Sequence, residues 1–529
     1  MAINDLYTDG IGGGWNVRDA STLTQDEVLE ADVVIVGSGA GGGTAAEILT
    51  AAGLDVLMLE EGALYTSADF KDMDEFRGYT TLYQEASART TSDGAVSIFQ
   101  GRAVGGTTVV NWTTSLRTPD NTLAHWREVY GVRDIESEQM APWFERMEQR
   151  LGIEPWAMAP NRNNDLLRAG CEKLGVHWKV IPRNVRGCWN LGYCGLGCPV
   201  NAKQSMLVTT IPSALGQGMR LLHHARAQRL QFKGDQVSEL TVQALDAQAL
   251  RPTGVTLRVR ARHFVLAGGA INTPALLLRS NAPDPRQRIG QRTCIHPVNG
   301  TVARFDDAVN GFHGAPQSIY SDEFLWPDSG VGYKLEVPPL QPMLSSGLFG
   351  SFGDALSRDM ATLDHAQVNI ALMRDGFHAD SSGGQVRIDD NGAPVLDYDF
   401  SDYLWDGLRR AYLSMAEIQF AAGARMVRPA HLDGRDYSSW KEAREAIAAL
   451  PMQKQRASLY SAHLMGGCLM GEDRQTAVVD SYGRFHEAGN LSVIDGSVFP
   501  TSIGANPQLS IYAFSARNAS KLAESLRTA

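Results

Sequence analysis

A glycine-rich turn near the start of the chain limits the possible folds more than any other feature of the sequence. The turn has G-x-G-x-x-G spacing, and its glycines are Gly37, Gly39 and Gly42. It follows the apolar run DVVIVG at 32–37 and precedes an alanine-rich stretch with helical periodicity, which we expect to end near Gly53. A second apolar run, DVLMLEEG at 55–62, contains Glu60. This order predicts a strand, a helix and a second buried strand, as in a Rossmann-type α/β fold.

Each part of this unit suits the binding of a dinucleotide. Gly37 permits the tight turn, Gly39 lets the backbone approach a pyrophosphate, and Gly42 lets the helix pack closely on the strand. The helix amino terminus faces the phosphates, and Glu60 can accept hydrogen bonds from a ribose. The sequence contains one such unit, whereas a flavoenzyme that also uses a nicotinamide commonly carries two. We therefore predict a dinucleotide site and favour FAD over NAD.

Length and composition narrow the class of protein. A chain of 529 residues exceeds one compact core, so two or more lobes are expected. The net charge of −11 argues against a nucleic-acid partner, which usually requires a basic face. No apolar run is long enough to predict a transmembrane segment, and the first residues lack the pattern of a signal peptide. We expect a cytoplasmic protein, with peripheral membrane binding as the alternative.

Four further segments resemble the signatures of one enzyme family, and they occur in that family's order. The segments are GRAVGGTTVVNWTTSLRTP (101–119), FVLAGGAINTPALLLRS (264–280), SAHLMGGCLMG (461–471) and NLSVIDGSVFPTSIGANPQLSIYAF (490–514). Together they resemble the glucose–methanol–choline (GMC) flavin oxidoreductases. The first of them and CGLGCPVNAKQS (194–205) are most similar to the long-chain alcohol oxidase and dehydrogenase branch of that family.

The resemblance implies a two-domain architecture. One domain would be a Rossmann-type FAD-binding domain, and the second a substrate domain built on an antiparallel sheet and helices. The implied FAD-binding pieces are 1–115, 205–300 and 460–529, the last of which carries the catalytic segment. A substrate-domain piece with a Cys-rich loop would occupy 116–204, and the main substrate domain 301–459. The apolar stretch 335–360 is either a lid over a substrate tunnel or a core segment of that domain.

The same resemblance assigns a catalytic pair. His463 matches the family's catalytic histidine, and histidine is the side chain whose ordinary pKa suits proton removal near neutral pH. Asn506 matches the position of a second His or Asn. An amide is not a base, so Asn506 is expected to orient the alcohol oxygen and stabilise the developing alkoxide. We interpret His296, in CIHPVNG, as a structural residue at a domain junction.

Cofactor contacts follow from the motif positions. The implied FAD-binding residues are Gly37, Gly39, Gly42, Glu60, Arg102, Gly105, Gly106, Asn111, Ala227, Asp495, Asn506, Pro507 and Gln508. Some members of the family attach FAD covalently through a histidine just before the signature Asn. Val110 stands there in this sequence, so we predict non-covalent FAD.

Three clustered cysteines leave several interpretations open. Cys188, Cys194 and Cys198 have C-x5-C-x3-C spacing, which does not match the usual pairs of a structural zinc site. Three thiolates suit a [3Fe-4S] cluster. The spacing also resembles the cluster segment of bacterial FAD-dependent glucose dehydrogenases, which has a further Cys where this sequence has Trp189. A disulfide and plain packing are the other interpretations.

The sequence therefore predicts an enzyme and leaves three functions open. The first is FAD-dependent oxidation of a hydrophobic primary or secondary alcohol to an aldehyde or ketone. The second is the catalytic subunit of an electron-transfer dehydrogenase complex, with the cluster at the three cysteines. The third is a lyase that keeps FAD as a structural group. The electron acceptor is oxygen, a quinone or a redox protein.

Overall fold

The computed structural model describes residues 3–528. Over this range the α-helices are α1 (Leu6–Gly12), α2 (Ala40–Ala51), α3 (Ser67–Phe70), α4 (Glu75–Thr81), α5 (Asp120–Tyr130), α6 (Ser137–Leu151), α7 (Arg162–Leu174), α8 (Thr210–Gly216), α9 (Gly269–Arg279), α10 (Pro342–Ser346), α11 (Gly353–Met360), α12 (Asp402–Ala421), α13 (Trp440–Ala448) and α14 (Gln508–Thr528).

The β-strands are β1 (Asn16–Asp19), β2 (Glu27–Val36), β3 (Val56–Leu59), β4 (Val96–Ile98), β5 (Ile153–Pro155), β6 (Lys179–Val180), β7 (Pro182–Asn184), β8 (Arg220–His223), β9 (Ala225–Lys233), β10 (Gln236–Leu245), β11 (Pro252–Leu266), β12 (Gln291–Thr293), β13 (Val298–Arg304), β14 (Ile319–Tyr320), β15 (Tyr333–Glu336), β16 (Ala366–Met373), β17 (Gly384–Ile388), β18 (Pro394–Asp397), β19 (Met426–Pro429), β20 (Leu459–Ser461) and β21 (Leu491–Val493).

An eight-stranded sheet forms the first lobe. Its order is β1-β8-β3-β2-β11-β10-β9, and β21 pairs with β11. The pairs β1–β8, β8–β3, β3–β2, β2–β11 and β11–β21 are parallel. The pairs of β10 with β11 and with β9 are antiparallel. A parallel sheet joined to helices confirms the predicted Rossmann-type α/β fold.

The glycine-rich unit folds as its pattern predicts. It consists of β2, the turn, α2 and β3. Val33, Val34 and Ile35 are fully buried in β2, and all of β3 is buried, as expected for central strands of a parallel sheet. Helix α2 packs against α14 and α8, and it ends at Ala51 just before Gly53, which has a φ of +85°.

A mostly antiparallel sheet forms the second lobe. Its order is β15-β16-β13-β20-β4, and β19 also pairs with β13. The long helix α12 packs against β13 and β16 and buries Leu408, Ala411 and Met415. This lobe confirms the predicted second domain built on an antiparallel sheet and helices. Strand β4, at 96–98, belongs to this sheet, while the domain boundaries drawn from the sequence remain a prediction.

Strand alternation decides which residues of the second sheet face away from α12. The side chain of Asn299 in β13 donates to the carbonyl of Leu408 in α12, so its neighbour Val298 faces the other way. Val298 pairs with Leu372 in β16, and Leu372 pairs with Lys334 in β15. Glu336 follows two positions later and shares the face of Lys334. Two charged residues therefore lie on the face of the sheet that is turned away from its helix.

None of the helices within residues 3–528 combines the length and the apolar character needed to cross a bilayer.

Candidate active site

One large cavity lies between the two sheets. Its volume is about 740 Å³. The carboxyl ends of β2, β3 and β11 line one side, and β13, β15 and β16 line the other. The carboxyl ends of parallel strands are the usual ligand-binding edge of an open α/β sheet. The cavity therefore stands where a dinucleotide is expected, with a second wall that belongs to the other lobe.

Two glycines of the turn have no room for a side chain. Gly37 has a φ of +100°, and a Cβ placed on it would lie 2.4 Å from the carbonyl oxygen of Ala267. A Cβ on Gly42 would lie 1.9 Å from the carbonyl oxygen of Gly37. Gly39 packs against a second glycine turn, Gly105–Gly106: a Cβ on Gly106 would lie 2.7 Å from the Cα of Gly39. These contacts support the roles expected for a tight turn and for close packing of α2.

Glu60 joins the two glycine turns through Ser38. Its carboxylate accepts hydrogen bonds from the Ser38 backbone N–H at 3.0 Å and from the Ser38 hydroxyl at 2.6 Å. The other oxygen accepts the Gly62 N–H at 2.8 Å, and the Ser38 hydroxyl accepts the Gly105 N–H at 2.9 Å. Burial raises the pKa of Glu60, although these hydrogen bonds oppose the rise. The carboxylate lines the cavity at the end of β3, where a ribose is expected.

Asp495 closes the same side of the cavity. One oxygen accepts the Gly269 N–H at 2.8 Å and the Thr273 hydroxyl at 2.6 Å. The other accepts the backbone N–H and the hydroxyl of Ser497. Burial raises the pKa of Asp495, and its hydrogen bonds lower it. The side chain thus holds the amino terminus of α9 against the cavity.

Arg102 and Ala227 also line the cavity. Arg102 forms an ion pair with Glu61 at 3.5 Å and donates to the carbonyl of Ala249. Arg226 also pairs with Glu61, at 3.1 Å. Burial opposes ionisation of Glu61, but the two guanidinium groups lower its pKa to about 2. Ala227 follows Arg226 in β9, and both residues line the cavity.

Asn111 and Gln508 connect the second glycine turn to α14. The Asn111 amide donates to the side-chain oxygen of Gln508 at 2.7 Å. The Gln508 amide donates to the carbonyl of Thr114 at 2.7 Å. Pro507 precedes α14 and also lines the cavity. The structure thus brings these predicted contact residues together around one space.

His463 stands on the wall opposite the glycine turns. Its Nδ1 lies 3.1 Å from Nδ1 of His296, and the two rings are tilted by 35°. Among residues 3–528, His463 Nε2 has no hydrogen-bond partner. Burial lowers the pKa of His463 to about 4, Glu336 opposes that change, and Lys334 adds to it. The imidazole is therefore neutral at pH 7 and able to accept a proton.

A buried carboxylate holds His296 in place. Asp375 accepts the backbone N–H groups of Ile295 at 2.9 Å and His296 at 3.1 Å, and the Tyr398 hydroxyl at 2.8 Å. Burial raises the pKa of Asp375. His296, which the sequence suggests as a structural residue, instead contacts His463 directly. Only its position near a signature segment could have indicated this contact.

Asn506 contacts an ion pair that sequence reasoning missed. Its Oδ1 accepts a hydrogen bond from the Lys334 ammonium, and its Nδ2 donates to Glu336 at 3.2 Å. Lys334 and Glu336 form a fully buried ion pair at 2.5 Å. Glu336 also accepts from the Gln317 amide at 2.6 Å. The one sequence signal was the alternation of charged and apolar residues in YKLEV, which places both charges on one face of β15.

Apolar side chains cover the rest of the wall near His463. They are Trp112, Val298, Leu344, Leu348, Ile370, Leu372 and Tyr460. Leu344 and Leu348 belong to the stretch 335–360, which carries α10 and α11. The carboxylate of Glu75 in α4 accepts the Met343 and Leu344 N–H groups at 2.8 and 3.1 Å. The stretch therefore contributes to the cavity wall, while Phe352 in the same stretch is 86% exposed.

The cysteine loop is attached to the segment that carries Asn111. The Lys203 ammonium donates to the carbonyl oxygens of Val109, Asn111 and Cys194. All six cysteines of the chain are free thiols, so the disulfide interpretation has no counterpart in the structure. Burial raises the pKa of Cys188, and a hydrogen bond from the Asn190 backbone N–H opposes that rise.

Comparison with known proteins agrees with this architecture. Two family models for GMC oxidoreductases match the chain, over residues 79–298 and 380–515. An uncharacterized GMC-type oxidoreductase of Sinorhizobium fredii is 32% identical over 95% of this chain and 96% of its own length. Long-chain-alcohol oxidase FAO4B of Arabidopsis thaliana is 30% identical over 94% of this chain and 68% of its own length.

A solved structure extends the comparison to the fold. Pyridoxine 4-oxidase from Mesorbium loti superposes with a TM-score of 0.68 at 19% identity, covering 93% of this chain and 98% of that one. At this identity the likeness concerns the fold alone. The two matching family models and the full-length relative confirm the resemblance seen in the sequence segments, and the chain belongs to the GMC oxidoreductase family.

Proposed function

We propose that this oxidoreductase oxidises a hydrophobic primary or secondary alcohol to an aldehyde or ketone. The observation that carries the proposal is that His463 and Asn506 line the same cavity, together with a group of apolar side chains that includes Leu348 and Leu372. A neutral imidazole can take the hydroxyl proton, and an amide N–H can bind the oxygen as it becomes negative. The long-chain-alcohol oxidases of Arabidopsis thaliana among the relatives agree with an alcohol substrate.

The residues of the cavity fit FAD, the cofactor that GMC oxidoreductases bind. Gly37, Gly39 and the amino terminus of α2 present backbone to the cavity where a pyrophosphate would bind, and Gly39 carries no side chain that would block its approach. Glu60 suits the ribose, Ala227 the adenine, and Asp495 and Asn111 the flavin end. Val110 precedes Asn111, and it offers no nucleophile, so the FAD would be held without a covalent bond. When bound, FAD supplies the hydride acceptor.

The protein groups then have distinct tasks. In the tautomer in which Nδ1–H of His463 donates to Nδ1 of His296, Nε2 of His463 is unprotonated and takes the hydroxyl proton. Asn506 would hold the oxygen with Nδ2. The apolar wall around Leu348 and Leu372 would bury the carbon chain and exclude water, which favours an alkyl or aryl alcohol over a sugar.

The decisive experiment is anaerobic mixing of the FAD-loaded protein with a panel of alcohols, read by flavin absorbance. We expect hydrophobic alcohols to bleach the flavin in wild type, and His463→Ala to slow that step by about 1,000-fold. Failure of every alcohol to reduce the flavin would reject the proposal. Readmitting air then separates an oxidase, which reoxidises quickly, from a dehydrogenase that uses a quinone or a redox protein.

A second candidate function rests on the cysteine loop. Cys188, Cys194 and Cys198 are free thiols of one loop; Arg183 donates to the Cys194 sulfur at 3.5 Å, and the Lys203 backbone N–H donates to the Cys198 sulfur at 3.4 Å. Cysteine sulfur is the ligand type that an iron–sulfur cluster requires. The link from Cys194 through Lys203 to Asn111 supports an electron path from the flavin to a partner protein. Iron and acid-labile sulfide measured in anaerobically purified protein test this candidate, and their absence would remove it.

A further inference from the structure

The buried pair Lys334–Glu336 touches the amide that we assign to the alcohol oxygen. Each charged group contacts a different end of Asn506: the ammonium meets Oδ1 and the carboxylate meets Nδ2. Lys334 and Glu336 have at most 1% of their side-chain surface exposed. Solvent therefore does not screen their charges effectively. We propose that this pair positions Asn506 so that it can only donate to the substrate oxygen; the inference rests on the proposed function.

The chemistry of the two contacts fixes the amide orientation. An ammonium has donors and no acceptor, while an ionised carboxylate has acceptors and no donor. In the observed orientation both contacts are attractive. A flipped amide would set its NH₂ against the ammonium and its oxygen against the carboxylate. Both contacts would then be repulsive, so the pair selects a single orientation of Asn506.

That orientation determines where the hydroxyl proton goes. Lys334 donates to Asn506 Oδ1, and its positive charge opposes a second donor at that oxygen. Glu336 accepts one hydrogen of Nδ2, so the other hydrogen of Nδ2 is the group that Asn506 offers to the substrate. The alcohol oxygen must then accept from Asn506, and its own proton must point elsewhere. Nε2 of His463 is the acceptor that the wall offers when Nδ1–H of His463 donates to His296. Lys334 thereby directs the proton to His463 without touching the substrate.

The ion pair also affects the charge that forms at the oxygen. Hydrogen bonds in a chain polarise one another, so an ammonium on Oδ1 makes Nδ2 a stronger donor to an alkoxide. Lys334 lowers the pKa of both His296 and His463, and Glu336 raises that of His463. The Gln317 amide donates a hydrogen bond to Glu336, and the Thr114 hydroxyl donates to the side-chain oxygen of Gln317 at 2.6 Å. The arrangement is thus held from both lobes.

The first test compares Lys334→Met with wild type in the anaerobic flavin-reduction assay. We expect the limiting rate of reduction to fall about 100-fold, the loss typical of one oxyanion donor, while the apparent Kd for the alcohol changes by less than about threefold. Because a cation near His463 is removed, the pH profile of the rate should shift to higher pH. Glu336→Gln should shift it to lower pH. An unchanged rate and profile in Lys334→Met would overturn the inference.

Matched variants separate positioning from folding. Lys179→Met removes another lysine that faces the Tyr320 ring and pairs with an aspartate, but Lys179 lies half-exposed outside the cavity. It should keep the wild-type rate. The double variant Lys334→Met/Glu336→Gln leaves no unpaired buried charge, so it keeps the test available where the single variant does not fold. It should retain FAD and remain slow, and a wild-type rate in it would reject the positioning role.

A binding experiment needs no turnover. Tertiary alcohols of increasing acidity lack the hydrogen that is lost as hydride, so they bind without reacting. Asn506 donates to the alcohol oxygen, and that oxygen becomes a weaker acceptor as the alcohol becomes more acidic. We therefore expect Lys334→Met to raise the Kd, read from the flavin spectrum, most for the least acidic alcohol, and the same ratio of variant to wild-type Kd across the series would overturn the inference. If wild type oxidises no alcohol, the proposed function itself fails; if only the Lys334 comparisons fail, the inference alone is lost.

Discussion

The two sides of the cavity are built in different ways. On the glycine side, Ser38, Glu60 and Gly62 come from one stretch of chain, and their contacts mostly involve backbone atoms. On the catalytic side, side chains 167 to 172 positions apart in the sequence are in contact. The glycine side depends on positions that have no side chain, such as Gly37 and Gly42. The catalytic side depends on the charges of buried side chains, such as Lys334 and Glu336. We therefore expect a single methyl group to break the first, and a single charge to break the second.

The largest effect should come from Gly42→Ala. The added Cβ would lie 1.9 Å from a backbone oxygen that belongs to the turn itself, so α2 must move away from β2. We expect a loss of about 3 kcal/mol of stability and no FAD in the purified protein. The flavin-to-protein absorbance ratio and thermal melting measure both. Gly12→Ala is the control, because nothing lies within 4 Å of a Cβ at that glycine, and wild-type flavin content is expected there.

The next effect concerns the support of the catalytic side. Asp375→Ala leaves the N–H groups of Ile295 and His296 and the Tyr398 hydroxyl without their buried acceptor, at about 1–3 kcal/mol for each unpaired group. The segment that carries His296 should shift, and with it His463. We expect a lower melting temperature and about tenfold slower flavin reduction in the anaerobic assay, an order-of-magnitude loss typical of misplaced catalytic groups. Asp375→Asn keeps one acceptor oxygen and should lie between Asp375→Ala and wild type; a wild-type rate in Asp375→Ala would contradict this account.

The same contrast explains what sequence reasoning could find. The β2–turn–α2–β3 unit was predictable because its glycines and its acid lie within one local pattern. The family and its fold were predictable from segments in their order, and the comparisons confirm both. Lys334 and Glu336 could not be predicted, since their role depends on the register of β15 with β16 and on the distant Asn506. The contact of His296 with His463 depends in the same way on tertiary structure.

The pH dependence tests the electrostatics of the catalytic side. Burial lowers the pKa of His463 to about 4, and the reaction needs the neutral imidazole. The neutral form is present above that pKa and is lost as the pH falls through it. We expect flavin reduction at pH 5.5 to be within about twofold of the rate at pH 8, whereas an ordinary histidine would lose about tenfold. A single-turnover profile from pH 5 to pH 8 gives the answer, and a midpoint near 6.5 would show that His463 is not shielded as the structure indicates.

The smallest effect should separate the two faces of the stretch 335–360. Leu348 lines the cavity and is 7% exposed, while Phe352 is 86% exposed. Leu348→Ala removes buried methyl groups that would contact a carbon chain, so we expect KM to rise about fivefold for a long-chain alcohol and little for a short one. Phe352→Ala should leave both values unchanged. A KM that depends on chain length at Leu348 alone means that the inner face of this stretch binds substrate. An equal effect at Phe352 would instead mean that the substrate also contacts the outer face, and the cavity wall would then extend to the surface.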